Sequence, residues 1–135
     1  MVLVDTSILI DFLRGADNAA VGRFQRILDN NIPFGISPLT YLEVLQGTRT
    51  EKDYTTVKSY LETHRFFGLL DGKESYAAAA RIYFDCRKKG ITINSTVDCL
   101  IAQTAIENDL TLLHNDADFD RMRRVVPLKI YKGPI

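Results

Sequence analysis

The stretch Met1-Val2-Leu3-Val4-Asp5-Thr6-Ser7-Ile8-Leu9-Ile10-Asp11-Phe12 constrains this chain more than any other. Val2 to Val4 form an apolar run that stops at a carboxylate. Thr6 and Ser7 follow, and then Ile8, Leu9, Phe12 and Leu13 fall at the spacing of a helix. The pattern predicts a buried strand, a tight turn, and a helix starting at Thr6 or Ser7. In a parallel α/β sheet, ligands bind in the crevice beyond the carboxyl ends of the strands. Asp5 is expected in that crevice, and the rest of the chain decides what meets it there.

Punctuation along the chain divides it further. A helix from Asp17 or Asn18 to about Asn30 is broken by Asn31-Ile32-Pro33. Phe34 to Ile36 reads as a short strand. Ser37-Pro38 is a cap followed by proline at the first helical position, opening a helix through Gln46 that Gly47 ends. Thr50-Glu51-Lys52-Asp53 starts a helix to about His64. A third strand is expected over Phe66 to Leu70, closed by Asp71-Gly72. A long helix covers Lys73 to Lys89, with Ala77 to Ala80 inside it, and Gly90 stops it. Ser95 opens a helix to Asn108. Thr111 to His114 is a fourth strand, Asp118 to Arg124 a short helix, and Leu128 to Tyr131 a last strand. Strands alternating with helices imply a parallel sheet covered on both faces. Right-handed crossovers then bring all the strand carboxyl ends to one edge.

The 135 residues suit one domain with one core, spanning 1–135, and 46% apolar residues argue against disorder. No run approaches the roughly 18 apolar residues of a membrane span. The start of the chain has no basic region, so no signal peptide is expected and a cytoplasmic protein is the default. Formal charge is zero, with 17 basic and 17 acidic residues, which excludes a global basic field for nucleic acid. Basic residues do cluster locally. Arg121, Arg123, Arg124, Lys129 and Lys132 lie in a stretch without acids, and Arg87-Lys88-Lys89 forms a second run. Both suit solvated helix ends, with phosphate contact as the alternative. Cys86 and Cys99 have no metal-ligand spacing and read as reduced core residues. His64 reads as a hydrogen-bonded structural residue. His114, with acids beside it, has both a structural and a functional reading.

Five acids converge on the expected edge. Asp5 ends the first strand, Glu43 lies in the helix after the second, and Asp98 lies in the first turn of the helix before the fourth. Asp116 and Asp118 follow the fourth. Each has a bland reading. Asp5 can cap a helix, Thr40-x-x-Glu43 and Ser95-x-x-Asp98 match capping boxes, and Asp116 or Asp118 can cap the last helix. Three details favour a site. Ser37-Pro38 is the better helix start, so a capping box does not explain Glu43. Asp5 sits among apolar residues, where an unpaired charge is costly. Asp116 and Asp118 are two residues apart in a turn and repel each other unless a cation intervenes. Carboxylates without thiolates suit a hard cation such as Mg²⁺ or Mn²⁺. Such a site can polarise a phosphodiester and activate water for hydrolysis.

At these residues the chain resembles the PIN-domain ribonucleases, specifically the VapC-type toxins of type II toxin–antitoxin systems. The resemblance rests on Leu3-Val4-Asp5-Thr6-Ser7-Ile8-Leu9-Ile10-Asp11 and Ser37-Pro38-x-x-Tyr41-x-Glu43. It continues through Thr96-Val97-Asp98-Cys99-Leu100-Ile101-Ala102 and Leu112-Leu113-His114-Asn115-Asp116-x-Asp118-Phe119. It implies a three-layer α/β/α sandwich around a parallel sheet of four or five strands. It also implies an endoribonuclease dependent on Mg²⁺ or Mn²⁺, acting on structured cellular RNA such as a tRNA or rRNA loop. Asp5, Glu43, Asp98 and Asp116 would be the catalytic metal-binding acids, with Asp118 as a fifth. Thr6 and Asn115 would steady the site. Many relatives carry Thr or Ser where this chain has His114-Asn115, so a hydroxyl contact is missing from that position. A homodimer and a small antitoxin, whose cationic tail fills the acidic groove, are the implied partners.

Rival readings fit less well. A phosphoacceptor receiver built on Asp71 needs an acid pair after the first strand, and this chain has one acid there. A haloacid-dehalogenase-like phosphatase needs a second Asp where Ser7 stands. A non-catalytic RNA-binding module leaves five convergent acids without a purpose.

Overall fold

The computed structural model describes residues 1–134. Twelve elements follow one another: β1 (Val2–Val4), α1 (Thr6–Leu13), α2 (Ala19–Asp29), β2 (Phe34–Ile36), α3 (Pro38–Gln46), α4 (Glu51–Leu61), β3 (Arg65–Phe66), α5 (Gly72–Lys88), α6 (Thr96–Glu107), β4 (Thr111–Leu113), α7 (Ala117–Met122) and β5 (Lys129–Ile130). The expected order of strands and helices is the observed one. The strands form one five-stranded sheet in the order β3-β2-β1-β4-β5, parallel throughout.

β1 is apolar at every position because both of its faces are covered. Leu3 points into a core with Ala79 and Ile82 of α5, Cys99 and Ile101 of α6, and Phe119 of α7. Val2 and Val4 point the other way, onto Ile8 of α1, Phe24 of α2, Val44 of α3 and Leu61 after them. β4 divides likewise, Leu112 to the first core and Leu113 to the second. This two-residue alternation makes three layers, with one core on each side of the sheet. Cys86 and Cys99 are buried free thiols in the first core, as expected. Among the described residues, no helix is long and apolar enough to cross a membrane.

Caps fix where the helices start. Asp5, Asn18, Ser37, Thr50, Ser95 and Asp116 each accept a backbone N–H at the start of a helix, and Pro38 follows Ser37 as expected. Gly90, at φ +77°, ends the long helix. Several boundaries differ from expectation: α4 ends at Leu61 rather than near His64, β4 ends at Leu113 rather than His114, and three further elements shift. β3 covers Arg65–Phe66 rather than Phe66 to Leu70. The Phe67 N–H still bonds Ile36 O at 2.9 Å. Beyond it, Gly68 O accepts from Asn108 Nδ2, and Leu70 N–H donates to Glu107. The backbone therefore turns to α6 side chains instead of extending an edge strand. α7 starts one residue early and ends at Met122 rather than Arg124. β5 is Lys129–Ile130, the part that pairs with Thr111 and Leu112.

Sheet order reverses direction at β1: β2 lies to one side and β4 to the other. The crevice beyond β1 and β4 is thus the topological switch point, where α/β sheets place their ligands.

Candidate active site

Asp5 leaves β1 at that switch point, its N–H bonded to Leu113 O of β4 at 3.0 Å. It caps α1: Oδ2 accepts the Ser7 N–H at 3.1 Å and the Ser7 hydroxyl at 2.6 Å. Ser7 Oγ in turn accepts the Asn115 N–H at 3.1 Å, tying the end of β4 to the end of β1. Asp5 is only 3% exposed, and its Oδ1 is buried with no hydrogen-bond partner. Burial pushes its carboxyl up to about 6, against the lowering effect of the Ser7 and Thr6 bonds, and Glu43 adds to the rise.

Glu43 arrives from α3. Its Oε1 accepts the Thr6 hydroxyl at 2.6 Å, and Thr6 Oγ1 also lies 3.1 Å from the Oγ1 of Thr40, which is fully buried on α3. Thr6 therefore holds Glu43 and links α1 to α3.

Asp98 comes from the first turn of α6. Ser95 caps that helix by accepting the Asp98 N–H at 3.3 Å, but the Asp98 carboxylate does not return the bond to the Ser95 backbone among the described residues. The capping box is half made, and the carboxylate is free for other work. Burial first, then the charges of Asp5, Asp116 and Asp118, push Asp98 up to about 8. Carboxyl oxygens of Asp98, Asp116 and Asp118 all lie within 4.8 Å of one another.

Of the two acids that sequence leaves as the cap of α7, the structure selects one. Asp116 is the cap, its Oδ1 accepting the Asp118 N–H at 2.9 Å. Asp118, 3% exposed, points inward from the first turn of α7. Its Oδ2 accepts the Asn94 N–H at 3.0 Å, and its Oδ1 bonds Arg121. His114 accepts the Asp116 N–H on Nδ1 at 3.0 Å, which orients the turn. Its Nε2 lies 3.5 Å from Asp120 without forming a hydrogen bond. Burial lowers the His114 pKa against the opposing pull of Asp120 and Asp116, so neutral imidazole is the favoured form. His64 is structural, packed edge-on to Phe34 and Tyr60, but its Nε2 has no partner, contrary to the hydrogen-bonded expectation.

The structure thus brings Asp98, Asp116 and Asp118 into one tight group. Asp5 and Glu43 stand beside it: the Asp5 charge acts on Asp98, and the Glu43 charge on Asp5. Asn115 serves through its backbone N–H, with its side chain 3.4 Å from Asp11. Sequence reasoning missed Ser7 and Thr40 as participants. Ser7, two residues after Asp5, supplies a hydroxyl to its carboxylate. Asp71 is exposed at the start of α5 and takes no part.

These donors fit a hard divalent cation. All are carboxylates, as Mg²⁺ and Mn²⁺ prefer. A buried, unbonded Asp5 Oδ1 and a strongly raised Asp98 mark a site whose negative charge Arg121 offsets only at Asp118.

The chain is similar to known proteins. Residues 2–125 match the family model described as PIN domain. A VapC ribonuclease of Mycobacterium bovis and Ribonuclease VapC11 of Mycobacterium tuberculosis are each 30% identical over 130 residues, 96% of this chain and 96% of each relative. Among solved structures, VapBC2 from Rickettsia felis, bound to a DNA fragment from its promoter, matches with a TM-score of 0.74. The identity is 18%, over 97% of this chain and 98% of that one. FitAcB from Neisseria gonorrhoeae matches with a TM-score of 0.73 and 22% identity, over 98% and 97% of the two chains. Those two structures bear on the fold, and the family match and the closer relatives bear on the lineage. The chain belongs to the PIN-domain family and, within it, to the VapC ribonucleases.

Proposed function

We propose that this chain is an endoribonuclease dependent on Mg²⁺ or Mn²⁺, the toxin of a toxin–antitoxin pair, acting in the cytoplasm on structured RNA such as a tRNA or an rRNA loop. The observation that carries this reading is the partly buried carboxylate group at the β1–β4 switch point, with Asp5 Oδ1 unbonded beside it. Asp5, Glu43, Asp98 and Asp116 would hold the cation. Asp118 would complete the set with the lone pairs that Asn94 and Arg121 leave free. When bound, such a cation polarises the phosphodiester and lowers the pKa of the attacking water. The chain's own residues do the positioning. Ser7 fixes the Asp5 carboxylate, Thr6 fixes Glu43, and the Asp116 cap and His114 fix the turn after β4. Pairing of two copies, and a small antitoxin whose cationic side chain enters the carboxylate group, complete the proposal; an ionic hydrogen bond of that kind is strong.

The test is cleavage of total tRNA and of rRNA fragments by folded, antitoxin-free protein, with Mg²⁺ or Mn²⁺ and with EDTA. Cleavage that needs either cation is the expected result. Asp5→Asn and Asp98→Asn are expected to lose about 100-fold or more, as removal of several kcal/mol of transition-state stabilisation requires. No cleavage with either cation contradicts the proposal.

A further inference from the structure

The acids of the site meet a positive charge of this chain at one place. Among the described residues, Arg121 is the one Lys or Arg paired with Asp5, Glu43, Asp98, Asp116 or Asp118. Its Nη2 donates to Asp118 Oδ1. A guanidinium carries five N–H donors in a rigid fork, and Arg121 spends one of them within the described residues. The Asp118 side chain is 4% exposed and that of Arg121 is 37% exposed. One end of the fork is therefore anchored on an acid of the group, while the side chain keeps over a third of its surface exposed. Arg123 and Arg124 follow, exposed and, among the described residues, without acidic partners, whereas Lys129 is turned to Asp109. The basic run that sequence alone leaves between a solvated helix end and a phosphate contact thus begins inside the site.

We propose that Arg121 is a phosphate-binding residue of this ribonuclease: its free N–H groups take non-bridging oxygens of the RNA phosphodiester lying across the acid group. The proposal rests on the ribonuclease reading above. Five carboxylates repel an RNA backbone, and a divalent cation offsets part of that charge. A guanidinium already held by Asp118 offsets more of it where the backbone enters, and little ordering is left to be done on binding. Asp118 is then a positioning residue for Arg121 as well as a neighbour of the cation. A guanidinium fork matches two phosphate oxygens, which a lysine ammonium does so only as a point charge.

The experiment is steady-state cleavage of a single-stranded oligoribonucleotide with Mn²⁺, over a range of salt concentrations. It compares wild type, Arg121→Gln, Arg121→Lys and, as a charge control on α2, Arg26→Gln. Melting with and without Mn²⁺ accompanies each. Neutralising one phosphate of a single strand contributes about 0.7 to the slope of log affinity against log salt. Arg121→Gln is expected to raise KM about tenfold and to lower that slope by about 0.7, while the melting-point gain from Mn²⁺ is kept or enlarged. Arg121→Lys is expected to keep the wild-type slope with KM raised at least about threefold, and it decides the matter if Arg121→Gln does not fold. Arg26→Gln should match wild type. Unchanged KM and slope in folded Arg121→Gln overturn the proposal, as does loss of its Mn²⁺ response, which would make Arg121 a support of the cation site. Unchanged KM in Arg121→Lys overturns it too. Wild type that cleaves nothing with either cation overturns the ribonuclease reading itself, a result distinct from all of these.

Discussion

Ser7 shows how much of the site is invisible in a linear reading. The acids are legible because each stands at the end of a strand or the start of a helix, where the topology aims it at one edge. Thr40 is not, because its partner Thr6 lies far away in the chain, and Ser7, although it bonds Asp5 nearby, also bridges to distant Asn115. Ser7→Ala removes the 2.6 Å bond to Asp5 and the acceptor for the Asn115 N–H. It is expected to cost about 1–2 kcal/mol and to reduce RNA cleavage about tenfold; a variant with wild-type melting and rate would show that Ser7 is dispensable. His64 gives a separate, pH-dependent outcome. Burial lowers its pKa below 6.5, so between the two values the unfolded chain binds more protons than the folded one. Its contribution is complete above about pH 6.5 and is lost as pH falls through the folded value. His64→Phe, which keeps the edge-on packing, should melt with a smaller drop between pH 7 and 5 than wild type. An identical drop would exclude His64 as its source.

Elements were read correctly in kind and order, and the misjudged ends have a common cause. Caps with their own side-chain bond, such as Ser37, Thr50 and Ser95, stand where local sequence places them. β3 is shorter than its apolar run because Gly68 and Leu70 bond to α6 side chains distant in sequence. The choice of Asp116 over Asp118 as the α7 cap is likewise decided from outside: Asn94 and Arg121 draw the Asp118 carboxylate inward. Gly35 on β2 is another long-range requirement. A Cβ there would lie 2.5 Å from the Phe67 ring and 2.7 Å from the Arg65 carbonyl. Gly35→Ala is therefore expected to loosen β3 and destabilise the fold by about 1–3 kcal/mol, as overpacking does. A melting temperature equal to wild type would show that the edge strand yields without cost.

At the scale of the molecule, two cores grip one sheet and force acids from the end of β1, from α3, α6, the β4–α7 turn and α7 to a shared edge. Sequence could place these acids on that edge but not measure their crowding, which depends on burial. The crowding has a sign that can be read in melting. Free Asp carboxyls release their protons near 3.8, whereas folded Asp5 holds its proton to about 6 and Asp98 to about 8. Between those values the folded chain binds more protons, so these two groups contribute stability that is lost as pH rises toward 8. A divalent cation bound at the proposed site would take the place of the protons and should remove that loss. The decisive measurement is the melting temperature of wild type and Asp98→Asn at pH 8, in EDTA and in Mn²⁺. The cation-site account predicts that Asp98→Asn melts at the same or a higher temperature than wild type in EDTA. It also predicts loss of most of the gain that Mn²⁺ gives wild type, since that gain follows cation affinity. A variant that melts lower in EDTA yet keeps the full Mn²⁺ gain would make Asp98 a helix-capping residue and contradict the site.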